Sequence, residues 1–581
     1  MTPTDSSDQQ LAPARDAHPG AAGPLGVLRE ELLAAARAVA ARVEGQNGGV
    51  GEARLQALAG AGGPVTLERP RRAEFGDYSS NAALVLAPAL GGKPRDLAEQ
   101  LGEALAERMP GSLERFEVAG PGFLNLFLSD RWLTGALSQV LAAGRTYGAA
   151  EAQQQRKILV EFVSANPTGP MHVGHARNAA YGDALARILA ARGHAVEREF
   201  YVNDAGSQVR RFGESVSAVA RGEEPPEDGY HGDYVAALAA SIPGAAERDP
   251  ADVGRAGVEQ MLERTKEALA AFRVEPFDHW TFESELYAGH PSLVESTIAT
   301  LTEAGRTYPS EGALWLRTTE FGDDKDRVLI RSNGEHTYFA SDIAYHQSRR
   351  ERGYERQIDV WGADHHGYLL RMKAAYAALG GDPDDLELLI MQLVHLVRGG
   401  ERAQMSKRAG EFVTLHELVE EIGVDAARWY LLARSHDTTV DLDLDLAREQ
   451  SAENPVYYVQ YAHARIASIV GKAGEERMKE ALAATATPPS SPLHPSERAL
   501  IEQLVGFPGE LAEASERRAP HRLTAYVLEL AQSFTAFYRD CRVLGAEPQE
   551  LESLRLALSE AARMTIARSL DLLGITAPEH M

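Results

Sequence analysis

KILVEFVSANPTGPMHVGHARNAAYGDALARILAARGHAVEREFYV, residues 157–202, divides into four parts. Residues 157–163 form a short apolar, β-branched run, which predicts a buried strand. The loop SANPTGPMHVGH follows. From Ala176 onward, Tyr181, Ala184, Leu185, Ile188 and Leu189 recur at helical spacing, and Gly193 supplies a stop. AVEREFYV at 195–202 predicts a second strand. Strand, loop, helix and strand make a βαβ unit, hence a parallel sheet. Ligands of such sheets bind at the carboxyl ends of the strands, so chemistry is expected in the loop after the first strand.

The sheet pattern resumes at QIDVWGADHHG (357–367) and LELLIMQLVHLV (386–397). The stretch between, about 215–330, is helical and acidic and reads as an insertion. Upstream, amphipathic helices at 26–44 and 94–108 flank strand-like runs such as GPGFLNLFLS (120–129), which predicts a small α+β domain over 24–147. Downstream, 425–581 is predicted to be all-α, interrupted by the linker TATPPSSPLHPSE (485–497). Its last helix carries the stripe Leu554, Leu556, Leu558, Ala562, Ile566 and Leu570. The catalytic domain is then 148–424. Residues 1–23 are polar, lack the apolar stretch of a signal peptide and are expected to be a disordered tail.

A chain of 581 residues needs several cores. Its single cysteine, Cys541, excludes a disulfide framework and a cysteine-rich zinc site. No run of about 20 apolar residues is present, so no membrane span is expected. A net charge of −25 argues against non-specific polyanion binding, so any RNA role demands local basic strips. Such strips exist at Arg71/Arg72, Arg349/Arg350/Arg352 and Arg517/Arg518 with His521/Arg522. PRRAEFGDYSSNAA (70–83) interleaves Phe75 and Tyr78 with cations, which suits stacking on unpaired bases or an ordinary surface turn. NPVYYVQYAHARI (454–466) sets Tyr457, Tyr458 and Tyr461 on neighbouring turns, as a base platform or a core stripe.

Two constellations carry chemistry. His172-Val173-Gly174-His175 stands where the first loop enters its helix. Backbone N–H groups there offer positive potential to phosphate, the imidazoles can donate to it, and Gly174 lets a flat base approach. A structural histidine pair or a metal pair fits the tetrapeptide as well. Met405-Ser406-Lys407-Arg408 lies in the glycine-rich stretch RGGERAQMSKRAGEF. A lysine on a mobile loop can close over a triphosphate; a solvated basic turn has the same composition.

Together, HVGH after the first strand and MSK after the last resemble the nucleotide-binding signature of class I aminoacyl-tRNA synthetases, which bracket ATP in a Rossmann-like domain. EFVSANPTGPMHVGHARN, YVNDAG, YFASDIAYH, WGADHHG, QMSKRAGEFVTL, DAARWYLL, ENPVYYVQYAHARI and LDLLGITAPEHM resemble the arginyl-tRNA synthetase family, over nearly the whole chain from about residue 24.

The resemblance implies ATP contacts at His172, Gly174, His175, Asp364, His365, Met405, Ser406 and Lys407, with His172, His175 and Lys407 catalytic. It implies arginine contacts at Glu161, Asn166, Tyr338 and Asp342. Carboxylates suit a forked guanidinium, and Tyr338 and Asp342 lie one helical turn apart, although Asp342 read alone is also a plausible helix cap. The family signature begins with lysine where this chain has Gln404, which leaves Lys407 as the leaving-group cation, aided by Arg402 or Arg408. Asp-His-His at 364–366 fits metal ligands in isolation, but no further cluster accompanies it. The implied partners are ATP with Mg2+, L-arginine and tRNA(Arg), with no protein-bound metal and no editing domain. RNA contacts are expected at Arg71, Arg72, Phe75 and Tyr78 in the N-terminal domain and at Tyr458 and Arg522 in the C-terminal one. A cytoplasmic monomer is expected.

Overall fold

The structure, a computed structural model, describes residues 23–44, 64–70, 72–90, 92–149, 155–402, 413–485 and 489–581. The chain divides into two compact units that part between Val140 and Leu141. In the first, a four-stranded antiparallel sheet runs in the order Leu67–Glu68, Tyr78–Ser80, Phe123–Leu128, Leu113–Ala119. Helices Gly23–Glu44, Ala82–Leu90 and Pro94–Arg108 cover it, and their leucines and alanines form one core with Leu124, Leu126 and Leu128.

The second unit is built on a five-stranded parallel sheet: β1 (Lys157–Glu161), β2 (Ala195–Val202), β3 (His279–Phe282), β4 (Arg356–Gly362) and β5 (Leu386–Met391). Spatial order is β5-β4-β1-β2-β3, with every pair parallel. From the central β1 the chain steps outward to β2 and β3, then returns to β4 and β5 on the other side. The direction reverses between β1 and β4, and their carboxyl ends frame the crevice expected of such a sheet. Helix α1 (Val173–Ala191) makes the β1–β2 crossover and is buried along most of its length. It lies close to the strand: a Cβ on Gly182 would overlap the Phe162 ring.

Residues 215–330 are less helical than expected. Helices Asp233–Ser241 and Pro250–Ala271 are present. β3, however, completes the edge of the main sheet, and Thr307–Ser310, Ala313–Leu316 and Arg327–Ile330 form an antiparallel sheet of their own. Each of these strands is four residues long, too short for alternation to announce it.

Three further helices matter below: α2 (Tyr338–Glu351), α3 (Leu415–Leu432) and α4 (Pro455–Ala473). The helical C-terminal region continues through Pro495–Glu516, His521–Asp540 and Gln549–Leu572, and the stripe from Leu554 to Leu570 is buried throughout. Among the described residues no helix is long and apolar enough to cross a membrane.

Candidate active site

His172 is the N-cap of α1. The Gly174 amide donates to its Nδ1 at 3.1 Å, and the His172 amide donates to Nδ1 of His175 at 3.3 Å. The two rings stack with centroids 3.7 Å apart. Burial, then the neighbouring His172, pulls the His175 pKa down to about 3, so that ring is neutral. With Nδ1 of each ring accepting, a neutral imidazole carries its proton on Nε2, where it can donate. Gly174 is exposed, and a Cβ there would stand 3.0 Å from Cε1 of His172.

Gln404, Met405, Ser406, Lys407 and Arg408 lie outside the described residues. Their exit is described. The Val173 amide donates to the Val413 carbonyl at 3.2 Å, and the Leu415 amide to the Met171 carbonyl at 2.8 Å. Val413 and Thr414, leading into the helix at Leu415, thus run antiparallel beside His172 and Val173. Lys407 is six residues upstream of Val413, a tether of at most about 20 Å.

Glu161 closes β1. It stands in register with Asp359 of β4 on one side and Glu199 of β2 on the other. It is buried and accepts the Ser164 hydroxyl. Burial, then Asp359, pushes its pKa up to about 8, with Arg349 pulling the other way. The chain then turns sharply. Val163 (φ 71°) and Ser164 (φ 39°) are left-handed, and the Ser164 amide donates to the Phe162 carbonyl at 3.0 Å. A β-branched residue at positive φ is strained backbone, held by its surroundings at the mouth of the crevice. Asn166 emerges from this turn exposed.

Asp342 lies on the first turns of α2, and the Tyr368 hydroxyl donates to it at 2.6 Å. Its pKa is raised, chiefly by burial, against the opposing pull of Tyr368, His346 and His365. A second carboxyl lies near it: Glu283, just past β3, is 5% exposed. Burial, then Asp342 and Asp204, lifts its pKa to about 7. Among the described residues no arginine or lysine pairs with Asp342 or Glu283. A half-buried and a buried carboxyl near one another, with no arginine or lysine paired to either among the described residues, suit a cation. Tyr338 is 59% exposed on the rim, and a Cβ on Gly206 would lie 3.7 Å from its hydroxyl.

Glu283 and Tyr368 are the residues that the sequence reading missed. Glu283 opens a short helix just past β3, and that strand was read as part of an insertion. Tyr368 directly follows WGADHHG. Asp364 and His365 stand exposed at the carboxyl end of β4, adjacent to β1, with 3.6 Å between their side chains. Among the described residues no group of side chains has the makings of a metal site.

The residues singled out for RNA separate. Arg72 and Phe75 line a cavity of about 390 Å3 with Pro70, Ser79, Phe123 and Asn125. Tyr78 does not join them. It is buried edge-on to Trp132, because strand alternation turns it into the core. Arg71 lies outside the described residues. Tyr458 donates to the Thr535 hydroxyl at 3.0 Å and is partly buried, and Arg522 pairs with Glu510 at 2.8 Å. The exposed aromatic surface nearby is instead Tyr461 and Tyr538, with the Arg465 guanidinium 4.8 Å and 5.4 Å from their ring centroids. Tyr457 lies nearly parallel to Tyr461.

Comparison with known proteins finds three family models in succession along the chain. They are "Arginyl tRNA synthetase N terminal domain" over residues 52–128, "tRNA synthetases class I (R), catalytic domain" over 136–221 and 259–470, and "DALR anticodon binding domain" over 459–581. The arginine–tRNA ligase of Geobacillus thermodenitrificans is 46% identical over 537 residues, spanning 89% of this chain and 94% of its own. That of Bacillus subtilis is 42% identical over 533 residues, with the same shares covered. Among solved structures, the Thermus thermophilus arginyl-tRNA synthetase superposes with a TM-score of 0.71 at 26% identity, over 94% of this chain and all of that one.

Proposed function

The chain belongs to the class I arginyl-tRNA synthetases, and from that premise we propose which of its residues carry the reaction. It is an arginine–tRNA ligase: ATP, L-arginine and tRNA(Arg) give arginyl-tRNA(Arg), AMP and diphosphate through an arginyl-adenylate.

No protein nucleophile is needed. The arginine carboxylate attacks the α-phosphate, and the protein positions reactants and stabilises developing charge. In our reading the Nε2–H groups of His172 and His175 donate to ATP, Gly174 lies against the base, Met405 and Ser406 contact the nucleotide, and Lys407 closes over the departing diphosphate. Asp364 and His365 border the nucleotide. In the same reading Mg2+ enters with ATP as part of the substrate complex. The terminal 2′-hydroxyl of the tRNA then takes the arginyl group.

Arginine's guanidinium sits between Asp342 and Glu283, with Tyr338 over it; Glu161 and Asn166 meet its remaining polar groups. The observation that carries this reading is the proximity of half-buried Asp342 and buried Glu283, with no arginine or lysine paired to either among the described residues. Asp342→Asn tests it. The variant should lose most of the preference for arginine over citrulline, a neutral isostere; unchanged discrimination would reject Asp342 as the guanidinium partner.

For tRNA, the reading assigns residues 24–147 to the outer corner and 425–581 to the anticodon, leaving 148–424 as the catalytic domain. The Arg72–Phe75 cavity and the Tyr461–Arg465–Tyr538 surface are the places where unpaired bases can stack on exposed rings beside cations. We read the enzyme as a cytoplasmic monomer, and gel filtration of the free protein checks its size.

A further inference from the structure

His346 lies one turn beyond Asp342 on α2, and it is 3% exposed. Its Nδ1 stands 2.7 Å from the backbone carbonyl oxygen of Asp342, and its Nε2 stands 2.7 Å from Oδ2 of Asp359. The other oxygen of Asp359 accepts from Nη1 of Arg349 at 2.6 Å. Burial works against ionising Asp359, but Arg349 and His346 hold its carboxyl below the ordinary range. An ionised carboxylate only accepts, and so does a carbonyl oxygen. Each of the two contacts therefore sets a ring nitrogen against an acceptor, and the imidazole bridges the Asp342 main chain and the Asp359 side chain.

We propose that His346 is a positioning residue for arginine selection: it fastens the peptide of Asp342 to Asp359 in the sheet, so that the carboxylate is set in place before arginine arrives. This rests on the reading of Asp342 as arginine's partner. Asp342 is then held at both ends, its main chain by His346 and its carboxylate by the Tyr368 hydroxyl. Its backbone carbonyl is already the natural acceptor for the helical amide four residues on. The imidazole sets Nδ1 beside that same oxygen and ties it to β4, whose Gln357 side-chain amide also donates to the His346 carbonyl at 3.3 Å. Arg349, three residues further along, drives a second bolt into the same carboxylate. A helix anchored this way cannot roll, and a guanidinium reading two fixed carboxyls needs its partner fixed to well under 1 Å.

His346 touches neither substrate, so the role shows in a split between constants. ATP–diphosphate exchange, with tRNA present, is measured for His346→Ala, His346→Asn, His346→Gln and Asp342→Asn. His346→Ala should raise KM for arginine about tenfold or more and leave KM for ATP within about twofold. The Asn amide reaches the Asp342 carbonyl from nearly the Nδ1 position; the longer Gln amide reaches Asp359 instead. His346→Asn should therefore keep arginine affinity clearly better than His346→Gln. Equal arginine KM in those two variants overturns the proposal, whether or not His346→Ala folds. So does a His346→Ala enzyme in which both KM values rise together or neither moves. If Asp342→Asn leaves arginine KM unchanged, the underlying site reading fails. If Asp342→Asn weakens arginine and the His346 variants do not, only the positioning role fails.

Discussion

In the proposed reading, Glu161 and Glu283 meet a positively charged substrate with carboxyls whose pKa values burial raises to about 8 and about 7, so that near neutrality they are partly protonated. The ionised form is the one that welcomes a guanidinium or ammonium group. Arginine must therefore displace protons, and its affinity falls as pH drops below these values. KM for arginine should rise at least about tenfold between pH 8 and pH 6. Titration calorimetry in buffers of different ionisation heat should register proton release, and Glu161→Gln should flatten part of the dependence. A KM that is level across that range would separate these carboxyls from arginine binding. At Lys407 the expectation concerns rate. Lys407→Ala should slow adenylate formation by roughly 10²–10³-fold, or about 2.7–4 kcal/mol, with arginine affinity nearly unchanged, as single-turnover measurements can show. A loss confined to arginine binding would reject the leaving-group role.

The β1–α1–β2 unit was legible because it is local. Its apolar run, its helical stripe and the glycine that ends α1 sit in one continuous stretch, and β2 spans the residues expected of it. The same locality exposed HVGH and placed Asp342 on the opening turns of α2. β3 escaped because an edge strand of four half-buried residues carries neither a long apolar run nor clean alternation, and Glu283 escaped with it. No local signal could have paired Glu283 with Asp342; that proximity arises only when the sheet closes. Tyr78 went astray for a converse reason. Its aromatic ring between cations looked like a stacking surface, but the alternation of a three-residue strand turned it inward. The contact between α1 and Phe162, just past β1, also makes a prediction. Gly182→Ala thrusts a methyl into the Phe162 ring, so thermal unfolding should show a loss of about 1–3 kcal/mol, larger than the helix-propensity gain of alanine. A stability increase would mean that Phe162 can move aside freely.

At the scale of the second unit, the last residues bind three helices together. The chain past the final helix is held through its main chain. Arg428 of α3 donates to the Leu573 carbonyl at 2.8 Å, Gln460 of α4 to the Thr576 carbonyl at 2.9 Å, and the His463 ring lies 2.8 Å from the Pro578 carbonyl. Arg428 is fully buried, and its other end meets Asp183 of α1 at 2.6 Å, where Arg187 also donates at 2.9 Å. The crossover helix that presents HVGH is thus tied, through one arginine, to the segment that α4 also grips. Net worth of such a buried pair against apolar replacements is small, but removing one partner strands the other. Here Arg428→Met should cost about 1–3 kcal/mol of unfolding free energy, because Asp183 keeps Arg187 and the Glu275 amide while the Leu573 carbonyl loses its buried donor. Asp183→Asn together with Arg428→Met removes both charges, so the double variant should be clearly more stable than the sum of the two single losses predicts. Strict additivity in denaturant unfolding would mean that the pair is not coupled, and the link from the C-terminal segment to α1 would then run through packing rather than charge.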